Sequence, residues 1–159
     1  LGYPGGPKVE NMAKMGKEQI VFKKQNSLKN TLNFTFSGIK TAVINYVANA
    51  KSRGEEIVRE DICASFQHYV AKELCTKVLE ACKQRNSSTL VIAGGVSANR
   101  YILKYITEQL EPHGIAVYAP PVALCTDNGA MVASCGYYNL ISNKGLADIN
   151  LTAKANISY

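Results

Sequence analysis

The sequence predicts an α/β fold, helix-rich with a short parallel strand pair, and three observations predict it. Leu90–Ala93 and Ile115–Tyr118 are brief runs of aliphatic and β-branched residues, each halted by glycine or proline, as buried strands are. Between them Ile102, Leu103, Ile106 and Leu110 recur at helical spacing, so strand, helix and strand read as a parallel βαβ unit. A longer row, Ile62, Phe66, Val70, Leu74, Val78 and Cys82, steps by four and marks a long amphipathic helix, its face widened by Tyr69 and Ala81.

The elements follow in order. Leu1–Pro7 is turn chemistry, with Pro7 suited to the first turn of a helix over about Lys8–Met15 that Gly16 ends. Ile20–Phe22 and Leu32–Phe36 alternate as short edge strands or extended loop. Ser37 is the expected cap of a helix bearing Ile39, Val43, Tyr46, Val47 and Ala50, closed by Lys51–Gly54, and the long helix then runs from about Glu55 to Arg85. After the first strand, Gly94-Gly95 stops the chain and Ser97 is the expected cap of the helix to Leu110. Pro112-His113-Gly114 turns into the second strand, which Ala119-Pro120-Pro121 ends. A last helix starts near Thr126 or Asp127 with Ala130, Met131, Tyr138 and Ile141 inward, and residues 143–159 form a loosely held tail.

At 159 residues, 47% of them hydrophobic, the chain has material for one ordinary core. Its formal net charge of +6 favours an anionic partner, nucleic acid included, although only Lys23-Lys24 forms a run and a solvated basic surface explains the rest. The five cysteines, Cys63, Cys75, Cys82, Cys125 and Cys135, show no C-x-x-C spacing. Neither a disulfide framework nor a structural zinc site is indicated, and the set points to a reducing, cytoplasmic compartment, with Cys63, Cys75 and Cys82 as small buried thiols. No apolar run is long enough to span a bilayer and the amino end lacks a signal-peptide layout, so no membrane role is expected. The lack of an initiator methionine suggests a piece of something longer. Two strands alone do not make a stable parallel sheet, and an incomplete sheet with an exposed apolar face predicts self-association.

Three stretches have the residue types for chemistry. Gly94-Gly95 before a helix lets a ligand approach backbone N–H groups and the positive end of a helix dipole, an anion- or nucleotide-receiving arrangement that is also an ordinary tight turn. Cys125-Thr126-Asp127-Asn128-Gly129 follows the second strand and is expected on the same carboxyl edge, where Asp127 either caps a helix or offers a carboxylate to a metal or hydroxyl. Ser37 and Lys40, in Phe36-Ser37-Gly38-Ile39-Lys40-Thr41, present a helix mouth and an ammonium to a phosphate, or simply a cap and a solvated lysine. His68, in mid-helix, and His113, in a turn, lack ligand spacing and read as structural or solvent-facing.

Five segments occur in an order that resembles a known family: Tyr3-Pro4-Gly5-Gly6-Pro7, Phe34–Thr41, Asp61–Gln67, Ala93–Asn99 and Cys125–Met131. They are similar to the carboxyl-terminal part of the tRNA threonylcarbamoyladenosine transferases, the bacterial TsaD group and its archaeal and eukaryotic counterparts, formerly labelled O-sialoglycoprotein endopeptidase or glycoprotease. The resemblance implies a fragment of an actin-like (ASKHA, ribonuclease H-like) ATPase fold built of two α/β lobes. Residues 1–36 would be a linker and short helix, 37–142 a helical insertion with the βαβα core of the second lobe, and 143–159 the tail.

The same resemblance implies transfer of threonylcarbamoyl from threonylcarbamoyl-AMP to N6 of the adenosine beside the tRNA anticodon. Gly6, Glu10, Gly94, Gly95 and Asn99 would lie on the adenylate (threonylcarbamoyl-AMP, or ATP and AMP), with Glu10 where many members have Asp. Asp127 would complete an iron or zinc site whose other ligands, in a His-x-x-x-His motif, do not occur in this sequence. Activity of these residues alone is therefore not expected. Implied partners are tRNA and the accessory proteins of the threonylcarbamoylation complex. The competing readings are a nucleotide-binding or ATPase module of the same fold, a metalloendopeptidase, which the absence of H-E-x-x-H disfavours, and a helical interaction domain.

Overall fold

A computed structural model describes residues 1–22, 31–142, 144, 150 and 152. The expected tail, apart from 144, 150 and 152, and the Lys23-Lys24 pair lie outside the described residues. The chain divides into two compact units, Leu1–Cys125 and Thr126–Tyr159.

In the first unit the elements are α1 (Gly5–Ala13), α2 (Ser37–Ser52), α3 (Arg59–Arg85), β1 (Thr89–Val91), α4 (Arg100–Leu110) and β2 (Ala116–Tyr118). Short 3-10 turns cover Gly95–Ala98, Glu111–His113 and Val122–Leu124. β1 and β2 are parallel neighbours in register Thr89↔Ala116, Leu90↔Val117 and Val91↔Tyr118. The expected βαβ unit is thus present; β1 starts one residue earlier than expected and stops two residues sooner, before the glycine pair, and β2 starts one residue later. Neither Ile20–Phe22 nor Leu32–Phe36 forms a strand. Phe22 is buried instead and meets Tyr46 of α2 edge-on at 6.2 Å.

The core lies where α3 receives a helix on either side. Ala71, Cys75 and Cys82 pack with Ile102, Ile106 and Leu110 of α4 and with Ile115, while Ala13 of α1 packs with Cys63 and Ala64. The most buried face of α3 is therefore made of small residues, and the large row expected inside, Ile62, Phe66, Val70, Leu74 and Val78, is only half-buried. Close helix approach explains the difference, because small side chains let backbones draw together while the larger ones flank the seam. Cys63, Cys75 and Cys82 are buried free thiols, as the composition predicts.

Gly16 is not a helix terminator. α1 ends at Ala13, and a Cβ at Gly16 would lie 2.1 Å from the Glu60 carbonyl oxygen, so glycine is there to let two backbones touch. The segment beyond it is stitched to α3: Asp61 Oδ1 accepts from Lys17 N at 2.7 Å, and Ser65 Oγ accepts from Ile20 N at 3.0 Å. These bonds account for an aspartate and a serine that are buried on the face of a helix.

Three cap assignments are corrected. Ser37 is the first residue of α2 and Phe36 takes the cap position. Asn99 rather than Ser97 caps α4, because Ser97 is consumed inside the preceding 3-10 turn, where its buried hydroxyl donates to Gly94 O at 2.6 Å. In the second unit α5 (Gly129–Ile141) is capped by Asn128, whose Oδ1 accepts from Met131 N at 3.0 Å, and not by Thr126 or Asp127. Ala130, Met131, Tyr138 and Ile141, expected inward, are all exposed. α5 is apolar around its whole circumference, with Val132, Tyr137 and Leu140 exposed as well, so no single inward face exists for periodicity to find.

Candidate functional site

Of the predicted residues, Glu10, Gly94, Gly95 and Asn99 lie at or just ahead of the head of α4. β1 feeds into Ile92, whose N–H donates to Tyr118 O at 2.8 Å as the last rung between the strands. The chain then turns at Gly94, with φ 91° and ψ 171°, a conformation that L side chains rarely adopt. Ser97 N and Ser97 Oγ both donate to Gly94 O, which ties the glycine loop to the 3-10 turn. Gly94 and Gly95 have open space where a Cβ would stand, so the backbone is accessible there. The glycine pair was expected to lead into a helix capped by Ser97; a 3-10 turn intervenes instead, and the helix mouth belongs to Asn99.

Asn99 is half-buried and engaged at both ends of its amide. Oδ1 accepts from Ile102 N at 3.0 Å, and Nδ2 donates to Oε1 of the buried Gln67 on α3 at 2.9 Å. One residue further on, Arg100 N donates to Glu10 Oε1 at 3.0 Å, so a carboxylate from α1 lies against the N-terminus of α4, where the dipole favours it. Glu10 and Asn99, 89 positions apart in sequence, are thereby brought to adjacent points of one helix mouth. Gly6, on α1 with Glu10, faces open space at its Cα.

A cavity of about 120 Å³ opens beside this junction, lined by Glu10, Lys14, Glu18, Gln67, Arg100 and Tyr101 among others. That is well below the roughly 300–1,000 Å³ of pockets that engulf a drug-sized ligand. At its rim the Tyr101 hydroxyl donates to Glu18, and His68 Nδ1 lies 2.9 Å from the same hydroxyl and 3.1 Å from Glu18 Oε2. Burial, and then the Glu18 carboxylate, push the Tyr101 phenol up from its ordinary value. His68 also meets Tyr105 edge-on at 5.3 Å.

Two further candidates of the first unit stand elsewhere. Ser37 and Lys40 occupy the exposed first turn of α2, where Thr41 Oγ1 donates to Ser37 O at 3.2 Å and Phe34 stacks on Phe36. Among the described residues no hydrogen bond connects them to the α4 junction. Asp127 belongs to the second unit, exposed on the loop just ahead of Asn128. No group of three or more His, Cys, Asp or Glu suited to a metal occurs among the described residues. The residues present therefore do not fit an iron or zinc centre, for which one carboxylate is too few ligands. Gln67 and Glu18 were not singled out from the sequence. Gln67 did carry a signal: an amide one turn from Ala64 and from Ala71 on the same helix face needs a partner.

The sequence pattern of the TsaD family, described as tRNA N6-adenosine threonylcarbamoyltransferase, matches residues 1–134. The chain belongs to this family. The threonylcarbamoyltransferases of Clostridioides difficile and Clostridium perfringens are 43% and 40% identical to it, each over 99% of this chain and 46% of its own length. One from Clostridium botulinum is 41% identical over 94% of the chain. The chain thus spans about half the length of the curated threonylcarbamoyltransferases it matches. Among solved structures, HypF of T. kodakarensis superposes with a TM-score of 0.59 over 91% of this chain and 18% of its own, at 20% identity, a likeness of fold alone. No helix of the described residues is long and apolar enough to cross a membrane.

Proposed function

We propose that these residues form the adenylate-holding side of a tRNA N6-adenosine threonylcarbamoyltransferase, acting in the cytoplasm within an actin-like, two-lobed enzyme. The observation that carries the reading is the meeting of Glu10 and Asn99 at the mouth of α4 in a chain of this family. A carboxylate accepts from ribose hydroxyls, an amide offers a donor, and the open Gly94-Gly95 backbone admits a ligand edge at close range. Gly6 lies on the same helix as Glu10 and completes that side. The small cavity agrees with a chain that supplies one wall of the pocket. The adenylate is thereby held while the exocyclic nitrogen of a tRNA adenosine attacks the carbamoyl carbon and AMP leaves as the displaced group. Asp127 alone does not make a metal centre, and no step of the proposal runs through one.

Ser37 and Lys40 are proposed as a separate phosphate contact, and the net charge of +6 suits contact with the tRNA backbone. Accessory proteins of the complex would bind the assembled enzyme. The test is complementation of a strain lacking the modification with the full-length protein that carries these residues, wild type or Asn99→Ala, followed by mass spectrometry of tRNA nucleosides. Loss of threonylcarbamoyladenosine with Asn99→Ala is expected; undiminished modification overturns the proposal.

A further inference from the structure

Gln67 is buried, 5% exposed, on the small-residue face of α3 between Ala64 and Ala71. A primary amide in such a place is costly unless its polar atoms are bonded. Its Oε1 is committed to Asn99 Nδ2 at 2.9 Å, across 32 residues of sequence, while Asn99 Oδ1 is committed to Ile102 N. The two bonds impose one polarity on the Asn99 amide. Turning it over would set its NH2 against the Ile102 N–H and its oxygen against the Gln67 oxygen, breaking both contacts at once. With the cap fixed on one side and Gln67 on the other, the second Nδ2 hydrogen is held in one direction as a donor.

We propose that Gln67 is a positioning residue: it acts on adenylate binding through Asn99, whose rotamer and amide orientation it fixes. The inference rests on the adenylate reading of Asn99. Its consequence is specific, because a residue that merely filled space on α3 would change stability without changing how Asn99 contributes to binding.

The experiment uses the full-length protein that carries these residues and measures AMP affinity by calorimetry, with thermal midpoints recorded for each variant. Asn99→Ala is expected to weaken AMP binding about tenfold and Gln67→Met about fivefold. Combined with Asn99→Ala, Gln67→Met is expected to add nothing, since its effect passes through the missing side chain. Gln67→Glu, which keeps an acceptor for Asn99 Nδ2, is expected to recover most of the affinity lost by Gln67→Met even where the midpoint falls. Gln67→Ala replaces Gln67→Met in the cycle if the methionine variant does not fold. Wild-type AMP affinity in Gln67→Met with loss in Asn99→Ala overturns the positioning role and leaves the adenylate reading standing. Wild-type affinity in Asn99→Ala overturns both. Losses that add in the double variant also overturn it, because they show that Gln67 acts independently of Asn99.

Discussion

Replacing Gly16 by alanine puts a methyl group where α3's backbone already is. The new Cβ would lie 2.1 Å from Glu60 O, 2.2 Å from Glu60 C and 2.7 Å from Asp61 N, all well inside the 3.4 Å at which ordinary contact begins and the first two by more than 1 Å. No rotamer change relieves this, since all three neighbours are backbone atoms at the start of a helix. Either α1 withdraws, loosening Ala13 from Cys63 and Ala64, or the following loop moves and strains the Lys17 and Ile20 bonds to Asp61 and Ser65. Overpacking costs about 1–3 kcal/mol, and a rigid backbone neighbour puts this case near about 3 kcal/mol. For a domain of this size that is a fall of about 10 °C in thermal midpoint. The control is Gly5→Ala at the start of α1, where nothing lies within 4 Å and a gain in helix propensity of up to about 1 kcal/mol is available. Thermal unfolding followed by circular dichroism measures both. Equal midpoints for the two variants would show that the segment after α1 does not meet the start of α3 at Gly16 as described.

The remaining predictions concern the glycine loop and the titrating groups. Gly94→Ala is expected to cost about 1–3 kcal/mol from backbone strain alone, read as a lower urea midpoint, because there is room for the methyl group but not the dihedral angles. In maleimide labelling at neutral pH, Cys135 should react promptly while Cys63 and Cys75 stay unreacted until the protein unfolds; burial pushes both thiols up and so disfavours the reactive thiolate. The Tyr101 phenol is raised in the folded state, so its contribution to stability is full below the ordinary tyrosine value of about 10 and is lost as pH rises toward its folded value. Tyr101→Phe should therefore flatten the decline in thermal midpoint above about pH 10, measured by calorimetry across alkaline buffers.

Periodicity and punctuation made the βαβ unit, the long α3 and the buried cysteines legible, since strand length, helix length and thiol burial depend on local pattern. What escaped depended on partners far away in sequence. Ser97 and Asn99 are equally good cap residues two positions apart, and the choice between them was made by the 3-10 turn that consumes Ser97 and by Gln67, which holds Asn99. Gly16 looked like a helix stop because its neighbour, Glu60, is 44 positions away. The inward face of α3 was misplaced because a four-step row of large side chains is conspicuous, whereas Ala64, Gln67 and Ala71 look unremarkable until two helices are laid against them. Of the site, Glu10 and Asn99 came from family resemblance, and their meeting at the mouth of α4, Glu10 on Arg100 N and Asn99 on Ile102 N, is made by the fold.

The seam of Ala13, Cys63, Ala64, Ala71 and Cys75 also governs how this sequence can drift. Where helices cross at such short range the constraint is volume, and exchange among alanine, serine and cysteine is close to neutral while each added methylene is penalised. A saturation library over these positions, selected for a folded product, should return a narrow alphabet of small residues there. Across the wholly exposed face of α5 the same selection should return a broad one.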